Sequence, residues 1–180
     1  DPRGAGVVAS LLPIIAGTIV PVIALVRLTR RRRTQLVGLL VSASAAGLAY
    51  AAVLHYWLGT LNGSYLAESA VFAGSLAAGG LALLGLNRVA GLAGVGLGAV
   101  VLLLLGNPLS GAATAPEFFT PVWSAIGQAI TPGATIRLLR SVAFFDGAAV
   151  IGPVVVLSAW AAAGLLLLAL PSRRPRQERV

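Results

Sequence analysis

The chain contains no cysteine, no methionine and no lysine, and its one histidine is His55. Without cysteine there is no disulfide, no thiolate nucleophile and no cysteine metal site. Without lysine there is no P-loop lysine, no Schiff-base lysine and no lysine general base. A single histidine cannot form a histidine cluster. No set of residues supplies a nucleophile, a base and an orienting group together. The expectation is a protein that is not an enzyme and needs no cofactor or metal, so any ATP-driven activity would require a separate ATPase subunit. The missing lysine, beside an excess of Ala, Gly, Leu and Arg, reads as the coding bias of a GC-rich genome. The missing methionine, with a chain that opens on Asp1, leads to the expectation of a piece of a longer protein.

Charge is scarce as well. Charged residues make up 10% of the chain and hydrophobic ones 58%, where a soluble domain carries roughly 25% charged. Mean hydropathy is +0.94. A soluble fold of 180 residues has too little interior to hide so much apolar surface. The composition therefore specifies an integral membrane protein. The net charge of +8 raises the question of nucleic acid, but the arginines stand at the ends of apolar runs rather than along a basic stripe, so no nucleic-acid partner is expected.

A helix needs about 20 apolar residues to cross the hydrocarbon core. Five runs meet or approach that length, at residues 5–26, 35–58, 66–86, 89–106 and 148–170. They are continuous rather than alternating, which argues against a transmembrane barrel. The expected fold is all-α, a polytopic membrane bundle of five spans forming one transmembrane domain. The third and fourth runs are separated only by Asn87 and Arg88, which reads as a tight helical hairpin. The first run has no basic n-region and is too long for the apolar region of a signal peptide.

Arginine placement gives the orientation. With five spans, Arg27, Arg30, Arg31, Arg32, Arg33, Arg88, Arg173, Arg174, Arg176 and Arg179 share one side, and Arg3, Arg137 and Arg140 the other. The richer side is read as cytoplasmic, with the N-terminus outside and the C-terminus inside. An outside start is most simply reached through an upstream span and an external domain. The run Arg30 to Arg33 is read as a topology anchor that attracts anionic lipid heads, with no specific binding site.

Within the spans, Pro13 and Pro21 each remove a helix hydrogen bond and invite a kink. Gly91, Gly94 and Gly98 form a small-residue face suited to close helix packing or to a dimer. His55, Tyr56 and Trp57 end the second run, where aromatic rings favour the membrane interface. A proton-relay role for His55 would need an acid, and Glu68 is the close candidate.

The segment 107–147 is the least generic part. It runs Asn107-Pro108-Leu109-Ser110-Gly111, then Ala115-Pro116-Glu117-Phe118-Phe119. Two short helices are expected after it, one from Val122 to Ile130 after Thr120-Pro121 and one from Ala134 to Phe145 after Thr131-Pro132. The segment is too polar and too broken by proline to span. It is apolar enough to lie in the outer interface or to re-enter and pack on the bundle. Arg137 and Arg140 are three apart and share a helix face, so they can hold a lipid phosphate or an anionic substrate group. Asn107, Glu117 and Asp146 join them as candidate residues of an outer vestibule.

The pattern GNPLSG…APEFF…W…G…PG…LLRSVAFFDG, preceded by DPRGAG at the start, resembles the C-terminal membrane region of phage-infection-protein-like (YhgE/Pip-like) membrane proteins. Five spans with a proline-rich helical hairpin before the last one are also similar to the membrane half of ABC type-two exporter permeases. The resemblance implies a first span, a large external domain and then these five spans. It further implies a bacterial plasma membrane, homodimeric or hetero-oligomeric assembly, and a role as export permease or secretion accessory. The chain departs from ATPase-linked permeases in its inner loops, which are short and basic and offer no coupling element. A different class of function, a non-transporting anchor or receptor that holds and dimerises an external domain, is the alternative. A polar path through the spans would favour transport and a dry bundle anchoring.

Overall fold

The computed structural model describes residues 5–112 and 120–170, and these form an all-helical bundle without strands. Helix α1 is Ala5–Leu28 and α2 is Arg32–Ala52, with a π-helical continuation over Val53–Trp57. Helix α3, Tyr65–Val101, continues through a second π turn, Leu102–Gly106, into the short α4, Asn107–Leu109. Two short helices follow, α5 at Pro121–Ala129 and α6 at Thr131–Phe144, and α7 is Ile151–Ala169. Four of these stretches, Ser10–Leu28, Arg32–Trp57, Tyr65–Leu109 and Ile151–Ala169, are long and apolar enough to cross a membrane.

The third stretch is not one rod. At Gly91 the backbone takes φ 63° and ψ −151°, a combination open essentially only to glycine. Beyond it the chain folds back. A Cβ on Gly94 would meet the Leu86 carbonyl, and one on Gly98 would meet the side chains of Leu83 and Leu86. The reversal thus lies at Gly91, not at Asn87 and Arg88, which remain helical. A polar pair can sit in the last turn of a helix that ends at the membrane border, whereas this turn requires a residue without Cβ.

The remaining boundaries differ from expectation by a few residues. The second helix begins at Arg32, and the last begins at Ile151 rather than at 148 because the chain is still turning at Ala149, where φ is 60°. Thr120 stands at the N-cap of α5, without a side-chain capping bond. Thr131 is the first residue of α6 rather than its cap, a position taken by Ile130.

The first arm of α3 lies at the centre of the bundle. Its residues Val71, Phe72, Leu76, Leu83 and Leu84 are buried against α1, α2, α6 and α7. Two backbones come especially close where α7 crosses: a Cβ on Gly164 would overlap the backbone of Leu81 and Ala82. Small residues at such crossings replace the hydrophobic drive that lipid does not provide. On the other side, the Tyr50 hydroxyl donates to the Pro13 carbonyl at 2.8 Å, tying α2 to α1. The outward faces carry the apolar residues, among them Leu12, Val20, Leu40, Val155 and Leu166, as expected of a surface meant for lipid.

Helices α5 and α6 form a V. Its apex, Ile130 and Thr131, is buried, and Thr131 and Thr18 both lie beside Gly79, near the middle of the first arm of α3. From there α6 rises to the loop before α3, where Gly63 meets the backbone of Val142 and Ala143. Ten of its fourteen residues are buried, although the helix is far too short to cross a bilayer. An interrupted backbone at that depth is tolerable only when enclosed by protein, and here α1, α3 and α7 enclose it.

Candidate functional site

Helices α5 and α6 border an open cavity of about 520 Å³. Its polar lining comes from Ser110 after α4, Ser124 and Gln128 on α5, and Arg137, Arg140 and Ser141 on α6. Ile136, Phe145, Ala148 and Ala149 form an apolar wall beside them. Helical geometry explains the grouping. Ser124 and Gln128 are four apart, and Arg137, Arg140 and Ser141 follow at three and four, so each set occupies one face.

Local contacts hold this lining in place. The Trp160 indole N–H donates to the Ala129 carbonyl at 2.8 Å and fixes the end of α5 on α7. A Cβ on Gly127 would collide with the Leu109 carbonyl, so glycine permits α5 to press on α4. At the far end, the Ser141 carbonyl accepts both Phe145 N–H at 3.1 Å and Gly147 N–H at 2.9 Å. The Ser141 hydroxyl donates to the Ala148 carbonyl. These bonds fold the α6–α7 turn over the cavity rim.

The two arginines differ. Arg140 is half-buried and donates through Nη2 to the Ala112 carbonyl at 3.0 Å, which leaves further donors of its guanidinium for other partners. Arg137 is exposed and reaches the start of α7 at Gly152. The Gln128 Oε1 atom is buried with no hydrogen-bond partner. Cationic, hydroxyl and amide groups on one side and an aromatic–aliphatic wall on the other suit a molecule with an anionic head and an apolar body.

Of the residues expected at an outer vestibule, the structure brings Arg137 and Arg140 together on this cavity. Asn107 is exposed at the start of α4 and outside the lining, where its carbonyl accepts the Ser110 hydroxyl at 2.9 Å. Asp146 is exposed in the α6–α7 turn, with φ 48°, and does not line the cavity either. Glu117 lies outside the described residues. Gly94 and Gly98 face the first arm of their own helix, and Gly91 is the reversal. The expectation missed Ser110, Ser124, Gln128 and Ser141. The signal for three of them was present, as polar residues at helical spacing on short helices that are otherwise apolar.

A second polar group lies at the same end of the bundle. His55, in the π turn of α2, places Nδ1 2.9 Å from the Glu68 carboxylate. The other carboxylate oxygen accepts the Gly63 N–H at 2.9 Å. Glu68 is completely buried and His55 is 23% exposed. Tyr56 and Tyr65 pack edge-on to the imidazole, and Trp57 is exposed beside them, the arrangement of an aromatic belt at a membrane interface.

Among the described residues no group of three or more His, Cys, Asp or Glu side chains could hold a metal ion. No protein-family model, curated protein or solved structure matches the chain.

Proposed function

We propose that this chain is the membrane domain of an export permease or secretion accessory, related to the phage-infection-protein-like branch of type-two exporter permeases. In this reading it has five spans, because Gly91 divides the stretch Tyr65–Leu109. The arms of 26 and 18 residues would be about 39 and 27 Å long at 1.5 Å per residue, each close to the ~30 Å hydrocarbon core. The N-terminus faces outside, and the arginine-rich end, with Arg30 to Arg33 and Arg88, faces the cytoplasm. The domain works in a bacterial plasma membrane as a homodimer or hetero-oligomer, together with an external domain; ATP-driven export would require a separate ATPase subunit, for which the short basic inner loops offer no coupling element.

The observation that carries the reading is the arginine-lined cavity under the buried V of α5 and α6. An anchor has no use for a broken, buried helical element with an amphipathic opening, whereas a permease needs such a feature to take its cargo from one leaflet. The chemistry of the lining points to an anionic amphiphile. The test is export of a fluorescent fatty acid from cells carrying the full-length protein, the double variant Arg137→Gln/Arg140→Gln, or a deletion. Loss of export in both altered strains is expected. Unchanged export on deletion, with no nucleotide hydrolysis in the purified assembly, would sink the proposal.

One observation favours the anchor reading. Among the described residues most buried side chains are apolar, the buried polar ones are chiefly serine and threonine, and the single buried acid, Glu68, is closed by His55 and Gly63. If replacing the domain with an unrelated five-span anchor preserves the phenotype, the anchor reading stands in place of the permease.

A further inference from the structure

Between the two arms of α3 lies another cavity, about 200 Å³ in volume and almost wholly apolar in its lining. The fold accounts for it. At Gly98 the second arm touches the first, since a Cβ there would meet the side chains of Leu83 and Leu86. At Gly106, about 12 Å farther along a helix rising ~1.5 Å per residue, the second arm rests instead on the Pro132 ring of α6. On the first arm, Gly79 lies beside Thr131. The apex of the V is thus a wedge, with the first arm on one side and the second on the other. A wedge between two rods leaves a gap before the point where the rods touch, and Leu83, Leu102, Ile130 and Trp160 wall this one. We propose that the gap is a binding site for one acyl chain of a bilayer phospholipid, entering past Leu97.

The lining selects the occupant. A buried water needs several polar partners. Only Thr131 and Trp160 among the lining side chains carry a polar atom, and the Trp160 indole N–H is already given to the Ala129 carbonyl at 2.8 Å. Water therefore has almost nothing to hold it. An apolar cavity of about 150 Å³ stays dry and takes up benzene, so this one has room for the end of an alkyl chain. Left unfilled, it forfeits the dispersion contacts of every atom around it. The cavity also meets the bilayer. Leu97 is 65% exposed and Val101 half-buried, and both border the gap. The medium against that edge is hydrocarbon, present in excess over any solute. A chain seated there fills the space under the wedge and holds the second arm against the V. The inference stands whether the domain transports or anchors, because it rests on how the arms and the V pack.

The test uses Trp160 as its probe. The chain has three tryptophans, and Trp57→Phe/Trp123→Phe leaves Trp160 alone on the wall of the gap. The full chain with this pair of changes is placed in phosphatidylcholine vesicles containing a rising fraction of phosphatidylcholine dibrominated on its acyl chains, and indole fluorescence is followed. Strong quenching is expected. Ala82→Leu and Val101→Phe, which fill the gap from the first and second arm, should each lower the quenching constant at least twofold. Val155→Phe, on the lipid-facing side of α7 and outside the lining, should leave it unchanged. Size-exclusion chromatography checks that each variant is monodisperse, and Val101→Phe, at a half-buried position, decides the matter if Ala82→Leu fails to fold. The proposal is overturned if the filling variants are quenched as the parent is, since the bromines would then act from the lipid around α7, or if Val155→Phe lowers quenching as much as they do.

Discussion

The His55 imidazole and the Glu68 carboxylate meet at 2.9 Å across the loop that joins α2 to α3, with the acid fully buried. The second oxygen of the Glu68 carboxyl group accepts the Gly63 N–H at 2.9 Å. The pair closes the ends of two helices that are also joined by the Tyr65 hydroxyl, which donates to the Leu48 carbonyl at 3.2 Å. Glu68 also lies in the first turn of α3, where the helix dipole favours a negative charge.

Removing this acid should loosen the loop. A hydrogen bond contributes about 0.5–1.5 kcal/mol net, and Glu68 takes part in two. Glu68→Ala is therefore expected to lower the thermal unfolding temperature in detergent clearly, followed by tryptophan fluorescence. Glu68→Gln keeps an acceptor for the Gly63 N–H and should lose less. His55→Ala should approach Glu68→Ala, because it leaves a buried carboxylate with one partner only. Equal stability of the parent and Glu68→Ala would show that the pair is structurally idle.

The backbone reversal makes a separate prediction. Gly91 has open space around its Cβ position, so a side chain there meets no atoms, only an unfavourable φ. Gly91→Ala should cost about 1–3 kcal/mol from backbone strain. Gly96 is helical and equally open, and Gly96→Ala should be neutral or stabilising by about 0.5–1 kcal/mol. Opposite signs at two neighbouring open glycines would separate conformational strain from packing. If both substitutions behave alike, the reversal is not at Gly91.

At the crossing of α3 and α7 the prediction is steric. A Cβ on Gly164 would strike the backbone of Leu81 and Ala82, and backbone cannot yield as a flexible side chain can. Gly164→Ala should destabilise by about 1–3 kcal/mol, the usual range for overpacking. Gly74, on the same central helix with nothing near its Cβ position, serves as the comparison, and Gly74→Ala should leave the unfolding temperature unchanged or slightly raised.

These contrasts also mark how far the fold could be read in advance. Long apolar runs at helical length identify the helices, because nothing else hides backbone in lipid. A turn inside Tyr65–Leu109 was legible, but its position at Gly91 rather than at Asn87 and Arg88 was not. Four glycines lie between 91 and 98, and only tertiary packing decides which takes the positive φ. The Arg137 and Arg140 pair was legible from spacing, since neighbours on a helix face are fixed by its pitch. Its cavity partners on α5, and the gap between the arms of α3, depend on how separate helices pack, which no local spacing encodes.

The upper cavity yields the last prediction. Arg137 and Arg140 line it with Gln128, whose Oε1 has no partner. If the cavity takes an anionic head, each arginine supplies one charge-assisted hydrogen bond or more, and losing one bond of about 1.4 kcal/mol weakens binding tenfold. Arg137→Gln and Arg140→Gln should therefore each weaken binding of a dansylated fatty acid to the purified chain by about tenfold. Arg140 also holds the Ala112 carbonyl, so its variant should lower thermal stability as well, while that of the exposed Arg137 should not. Gln128→Leu removes an amide whose NH2 group can donate to the head and should leave binding equal or weaker. Neutral dansyl amides of the same chain length should bind the parent weakly and lose nothing in the arginine variants. Equal affinity for acid and amide would mean that the cavity reads only the apolar body, and the arginines would then serve the fold alone.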